Sequence, residues 1–164
     1  VMTLWQWFQP VSFQIMWLTL ILGGNTWLAV SVAILVAHFV LSPSRSEDFK
    51  ILLLAFVGFS ADLIMAHLGF FIFNQWPLWL LILWAAFVLN LGHSMRFLRR
   101  LKLIYLMNIG ALGGAYAYWV SWKLAAVECP LGTALTVVLV AAIWAIILPL
   151  FVKVDLLTRK PHHD

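Results

Sequence analysis

Long apolar runs separated by short polar breaks set the pattern of this chain. Six runs stand out, at about residues 4–22, 26–41, 49–68, 77–95, 103–122 and 130–152. An α-helix needs about 20 apolar residues to cross a bilayer, and each run approaches or reaches that length. The breaks carry helix-stop and turn chemistry. Gly23-Gly24-Asn25 closes the first run, Ser42-Pro43-Ser44-Arg45-Ser46-Glu47-Asp48 follows the second, and a Phe-rich segment, Gly69 to Trp76, precedes the fourth. Ser46 followed by Glu47 and Asp48 reads as a helix N-cap with an acidic first turn. The first run is the least hydrophobic, with Gln6, Gln9, Gln14 and Pro10, whereas the sixth is almost wholly apolar and is expected to kink or end at Pro149. The pattern predicts an all-α membrane protein. Its single domain, residues 1–164, is a bundle of six transmembrane helices with short loops.

Composition sharpens this picture. The chain has 164 residues, 65% of them hydrophobic and only 10% charged, with a mean hydropathy of +1.02. A soluble domain carries about a quarter charged residues, so this chain cannot cover its own surface in water. Six helices leave little length for anything else. The net charge of +4 would point to nucleic acid in a soluble protein, but here the basic residues sit in short breaks. They read instead as topology determinants and contacts for anionic lipid head groups, with no nucleic-acid partner. Six crossings with the N-terminus inside put Arg45, Lys50, Arg96, Arg99, Arg100, Lys102, Lys153, Arg159 and Lys160 on the cytoplasmic side, leaving only Lys123 outside. Both termini are therefore expected in the cytoplasm. Ten Trp and three Tyr suit interfacial belts. The lone cysteine, Cys129, excludes an internal disulfide and a cysteine metal cluster. The N-terminal apolar run lacks a basic start and a small-residue cleavage site and is expected to remain as a helix.

The informative residues are the polar ones inside apolar runs. At 1.5 Å per residue, Asp62 lies about 18 Å from the cytoplasmic edge, Tyr116 about 21 Å, and Gln14 and Trp84 roughly 15 Å. These form one expected polar layer. An aspartate at mid-bilayer costs about 2.5–3.5 kcal/mol on the insertion scale, so Asp62 must face the bundle interior. Gly58, Asp62, Ala66 and Gly69 share its face, and small residues let a neighbour approach closely. The fifth run carries a matching stripe, Gly110 and Gly114 followed by Ala117 and Ser121, so the third and fifth helices are expected to pack there. Asp62 reads either as a proton- or cation-binding carboxylate or as a protonated acid bonded to Tyr116 or a backbone carbonyl. Gln14 reads as an interhelical hydrogen bond.

A second polar layer, His38, Asn90, His93 and Asn108, lies near the cytoplasmic face. Asn90, His93 and Ser94 are spaced i, i+3, i+4 on one helix face. They read either as a polar site with Arg96 at its mouth to receive an anionic group or as a helix end meeting water. Arg99, Arg100 and Lys102 read as topology charges. His38 and His93 sit at similar depth and could pair on a haem or, with a third ligand, a metal. No supporting carboxylate is evident near them, so no metal and no cofactor is expected. His162 and His163 are expected to be solvated in the tail.

These residues carry a resemblance. Phe13-Gln14 with Trp17, Asp62 followed by Gly69 and Phe73, Pro77-Leu78-Trp79 with Leu83-Trp84, Asn90 with His93-Ser94, and Gly110 to Gly114 followed by Tyr116 or Tyr118 occur here in order. On them the chain resembles a bacterial inner-membrane family known only as domain of unknown function twenty-eight seventy-eight. The family's pattern has a Pro after the paired glycines where this chain has Ala115, and a tighter Asn-His pair than Asn90-Leu91-Gly92-His93. The resemblance implies a multi-pass protein of the bacterial inner membrane. It also implies a lipid-linked role, because the family accompanies lipid-modifying enzymes such as relatives of cyclopropane-fatty-acid synthase.

The leading functional expectation is a small membrane protein that binds or presents a lipid or fatty-acyl group, with a membrane or peripheral protein as partner. Asp62, Trp84, Asn90, His93, Ser94, Arg96 and Tyr116 are its candidate ligand-binding residues. Gln14, Gly58, Gly69, Gly110 and Gly114 are its packing residues. A transporter, or its substrate-binding subunit, coupled through Asp62 is the alternative. A membrane enzyme using His93 as acid/base is the third reading, although no second catalytic carboxylate or nucleophile motif supports it.

Overall fold

A computed structural model of the chain describes residues 4–159 and is all-α in architecture. The basic residue Lys160 and the paired His162 and His163 lie outside the described residues. Helix α1 (Leu4–Gly23) and helix α2 (Leu28–Leu41) are joined by one 3-10 turn, Gly24–Trp27. Helices α3 (Arg45–Ile51) and α4 (Leu53–His67) follow, then α5 (Leu78–Leu91), a 3-10 turn at Arg96–Arg100, α6 (Leu103–Lys123) and α7 (Thr133–Thr158). By length and composition, four helical stretches can cross a membrane: Leu4–Leu41, Arg45–His67, Leu103–Lys123 and Thr133–Thr158.

The first stretch is a hairpin. The Gln9 carboxamide meets His38 Nδ1 at 2.8 Å. Those residues would stand about 43 Å apart on one straight helix. The reversal falls at Gly24, whose φ of +53° is the left-handed backbone that glycine adopts at no steric cost. The α5 helix is shorter than the sequence pattern predicts, ending at Leu91 rather than about Met95. The Asn90 carbonyl accepts from the backbone N–H of both His93 and Met95, which closes the helix in a turn. His93 therefore leaves the helical face that its spacing implied and reaches Asp48, while Ser94 still bonds Asn90. Pro149, expected to kink or end its helix, lies within an α7 that runs on to Thr158.

The α5 helix is the centre of the bundle. Nine of its fourteen residues are buried, among them Trp79, Trp84 and Asn90, as expected of a helix that is apolar all round. Helices α1 and α4 pack on it, and α6 packs most extensively on α7. The glycine stripes thus find other partners than each other. On α4, a Cβ at Gly58 would land on the Trp84 indole. On α6, a Cβ at Gly110 would land on the Trp144 carbonyl oxygen, and one at Gly114 on the Trp144 ring. Each small face admits a large side chain or a close backbone rather than a second small face. Gly69 does not pack at all: it turns the chain at φ +83°, in open space.

Both ends of the bundle are fastened. At one end the strands Ile72–Phe73 (β1) and Val127–Glu128 (β2) form a short antiparallel ladder. There Asn25 also donates to the Trp76 carbonyl and accepts from the Trp79 N–H. At the other end, the region after α2, the turn after α5 and the end of α7 meet in a buried ionic cluster.

The glycine arrangement makes a paired prediction. Gly110→Ala should destabilise the protein by about 1–3 kcal/mol through overpacking against the Trp144 backbone. Gly113→Ala meets nothing within 4 Å and should be neutral or stabilising by up to about 1 kcal/mol from helix propensity. Thermal melts in detergent compare the two; equal midpoints would mean that α6 does not contact α7 through Gly110.

Candidate functional site

Two buried carboxylates anchor two separate polar centres. The first is Asp62 on α4, 1% exposed. Its Oδ2 accepts from Trp84 Nε1–H at 2.6 Å, and its Oδ1 accepts from the Tyr118 hydroxyl. Gly58, one helical turn before Asp62, leaves the space in which the Trp84 ring lies. That ring stacks on Trp144 at 5.0 Å and meets Phe151 edge-on at 5.8 Å. The carboxylate is thus held by two neutral donors inside an aromatic wall, with no ion-pair partner among the described residues.

A cavity of about 330 Å³ adjoins this centre, lined by Trp17, Asp62, Trp79, Trp84, Tyr116 and Trp144 among others. Its volume falls in the range of small-molecule sites. It lies where α1 and α6 barely touch. Trp17 on α1 and Tyr116 on α6 stack across the gap at 6.5 Å, while Gly113 leaves its side of the gap open. At one end the lining continues to Met95, Phe97 and Leu98, beside the exposed Arg96. The Trp144 indole N–H is buried in this wall without a hydrogen-bond partner among the described residues.

The second centre is built on Asp48 of α3, 0% exposed. Its carboxylate accepts from His38 Nε2 at 3.0 Å, His93 Nε2 at 2.9 Å and Arg159 Nη2 at 2.6 Å. The Ser42 hydroxyl donates to it as well. Arg159 also donates to Asp155 at 2.8 Å and to Ser44 Oγ at 2.8 Å. Arg99 donates to the other Asp155 oxygen at 2.6 Å. Gly92 is small so that the Arg159 guanidinium can pass: a Cβ there would overlap it. Trp5 sits edge-on to both imidazoles, at 5.1 Å from His38 and 4.9 Å from His93. Burial pushes the His93 imidazole below its usual range, against the pull of Asp48. Burial would lower Arg159 too, but its bonds to Asp155 and Asp48 outweigh that and raise it.

The predicted site residues divide between and around these centres. Asp62 and Trp84 are hydrogen-bonded, and Tyr116 and Gln14 line the adjoining cavity. Tyr116 is not the partner of Asp62; it is 62% exposed, and Tyr118 makes the bond. The α6 face that turns inward is Gly110, Gly114, Tyr118 and Ser121, so the glycine stripe itself, continued by one turn, leads to Tyr118. Gln14 makes no hydrogen bond among the described residues because it faces the gap between α1 and α6; Gln9 makes the interhelical bond instead. Asn90 bonds Ser94 and the Ala86 carbonyl, while Arg96 is exposed. His93 belongs with Asp48, away from the cavity. His38 and His93 do come together, their ring centroids 5.3 Å apart. The carboxylate beside them is Asp48, which lies, as the sequence pattern predicts, in the acidic first turn of a helix but turns inward to both imidazoles. Arg99 and Arg159, expected to act as topology charges, are also salt-bridged partners.

A family model described as "Protein of unknown function (DUF2878)" matches residues 6–150. No curated protein and no solved structure matches the chain. The match spans most of the sequence, so the chain belongs to that family.

Each centre makes a mutational contrast. Tyr118→Phe removes a donor from a buried carboxylate and should cost about 1–3 kcal/mol, whereas Tyr116→Phe should stay within about 0.5 kcal/mol. Arg159→Ala leaves two buried carboxylates without their shared cation and should cost about 3–5 kcal/mol. Arg100→Ala, at an exposed site, should again stay within about 0.5 kcal/mol. Chemical unfolding in mixed micelles measures all four; a Tyr116 loss equal to that of Tyr118, or an Arg100 loss equal to that of Arg159, would contradict the assigned contacts.

Proposed function

We propose that this DUF2878 member is a multi-pass inner-membrane protein that binds a lipid or fatty-acyl chain in the gap between α1 and α6. The observation that carries the reading is the aromatic cavity, which lies on a side of the bundle where neighbouring helices do not close. An apolar chain lying there exchanges lipid neighbours for indole and phenyl faces. Its polar end has two destinations. Arg96, beside the Met95–Leu98 end of the cavity, suits an anionic head group. Asp62 and the unpaired Trp144 N–H suit a hydroxyl or carbonyl deeper in the wall. A lipid-modifying enzyme is the class of partner that such a protein would serve.

The finer topology belongs to the same proposal. The chain crosses six times: the α1–α2 hairpin supplies two crossings, α3–α4 one, α5 one, and α6 and α7 one each. At 14 residues, α5 is about 21 Å long, short of the roughly 30 Å hydrocarbon core, and it spans because its neighbours surround it. Arg45, Arg99 and Arg159 then fall at the end of the bundle that holds Asp48, and Lys123 at the other, so the positive-inside rule sets both termini in the cytoplasm.

A second reading rests on Asp62 alone: an acid in a membrane cavity defaults to a proton or cation site, which would make the protein a transporter or its binding subunit.

Lipid retention through purification, read by native mass spectrometry, tests the proposal. Gly113→Phe should fill the gap, since a side chain there meets no neighbour, and should reduce retained lipid at least tenfold. Arg96→Ala should reduce retention of anionic species selectively. Unchanged retention in Gly113→Phe would end the lipid reading. Retention that survives Asp62→Asn while proteoliposome proton flux is abolished would shift the assignment to transport.

A further inference from the structure

We infer that His38, Asp48 and His93 form a binding site for a divalent transition-metal ion, separate from the apolar cavity. One ligand atom from each residue lies within 4.8 Å of the other two. Both imidazoles turn Nε2 toward the same carboxylate, at 3.0 Å and 2.9 Å. Bonds of 2.0–2.1 Å around a tetrahedral ion set its ligand atoms about 3.3 Å apart. Each nitrogen–oxygen separation is thus within a few tenths of an ångström of what an ion requires, and the imidazoles close on each other to complete the set. Three protein ligands leave a fourth position for water or another donor. Two imidazoles with one carboxylate suit Zn²⁺, Co²⁺ or Fe²⁺, and not the oxygen-preferring Mg²⁺ or Ca²⁺.

The surroundings are those of a ligand shell. A metal-bound imidazole normally donates its other N–H to an outer partner, which fixes the ring. At His38 that partner is the Gln9 carboxamide, 2.8 Å from Nδ1. With Nε2–H donating to Asp48, Gln9 donates to Nδ1; with the ion on Nε2, the proton moves to Nδ1 and the amide turns to present its oxygen. The same relocation applies at His93, whose Nε2 also faces Asp48. On Asp48, Arg159 holds Oδ1, while Oδ2 accepts from Ser42 and faces both His38 Nε2 at 3.0 Å and His93 Nε2 at 3.1 Å, where an ion would sit. Trp5 packs against both rings and limits their motion. His38 and Asp48 come from consecutive helices and His93 from 45 residues beyond Asp48, so an ion would tie α2, α3 and the turn after α5 together.

The test uses the full chain in detergent with His162→Ala and His163→Ala, which removes the competing tail histidines. After chelator treatment, titration with Co²⁺ alone should give one equivalent and the visible bands of a four-coordinate site. Asp48→Asn and His93→Gln should each weaken binding at least a hundredfold. Gln9→Leu, which removes no ligand, should weaken it about 10–100-fold while leaving the metal-free melting midpoint within the effect of a conservative change. Should the ligand variants fail to fold, X-ray absorption of the Zn²⁺-loaded parent decides: imidazole scattering from two rings supports the site. Its absence, a parent that takes up no cobalt, or Gln9→Leu binding equal to the parent overturns it.

Discussion

The Asp48 carboxylate has no contact with solvent, yet it sits at the junction of four stretches of chain. Burying a carboxylate costs several kcal/mol unless donors replace the lost water. Here the donors come from α2, from the segment after it, from the turn after α5 and from the end of α7. Arg159 supplies the counter-charge and the other three the remaining bonds, so the four stretches are positioned relative to one carboxylate. The requirement explains details elsewhere. The α5 helix must stop at Leu91 for His93 to reach the carboxylate. Residue 92 must lack a side chain for Arg159 to pass. Asp155 must balance the second half of that guanidinium and, with it, Arg99.

Of the three acids buried among the described residues, Asp48, Asp62 and Asp155, the first two are satisfied by opposite means. Asp48 is met by a guanidinium and two imidazoles; Asp62 by an indole and a phenol. The first arrangement is a full ionic cluster at a bundle end. The second leaves a carboxyl group in an apolar wall with acceptor capacity to spare, since four lone-pair positions meet two donors. A group held that way can take part in binding without dismantling the fold, whereas the Asp48 cluster acts by holding positions or by gathering around an ion.

The apolar runs announce helices because nothing but a membrane or a core accepts them, and the inward turn of Asp62 follows from the cost of the alternative. The stripe at Gly58 was equally visible, but what fills it was not. A glycine face says only that something comes close, and here the close object is Trp84 on one helix and Trp144 on another. Asp48 was hidden by its company: an acid beside Glu47, Ser46 and Arg45 in a polar break looks like a helix start. Its true setting depends on His93 and Arg159, which lie 45 and 111 residues away in sequence. Depth counting brought His38 and His93 to one level but carried no information about a third element. Depth does not distinguish Tyr116 from Tyr118, because it separates those two residues by only about 3 Å, whereas helix face separates them by half a turn.

The two fastened ends decide where the bundle can open. The α6–α7 pair is joined internally along its glycine face. It is held to the rest at one end through Arg159 with Asp48 and Asp155 with Arg99, and at the other through the β1–β2 ladder. Between these ties, α5 contributes a rigid wall, since Trp84 is clamped by Gly58, Asp62 and Trp144. The remaining freedom lies at the contact of α1 with α6, where one stacked pair, Trp17 and Tyr116, bridges the gap. Widening the gap at that pair would leave every tie at the ends intact. On the lipid-binding reading proposed above, a ligand would enter through this gap from the bilayer.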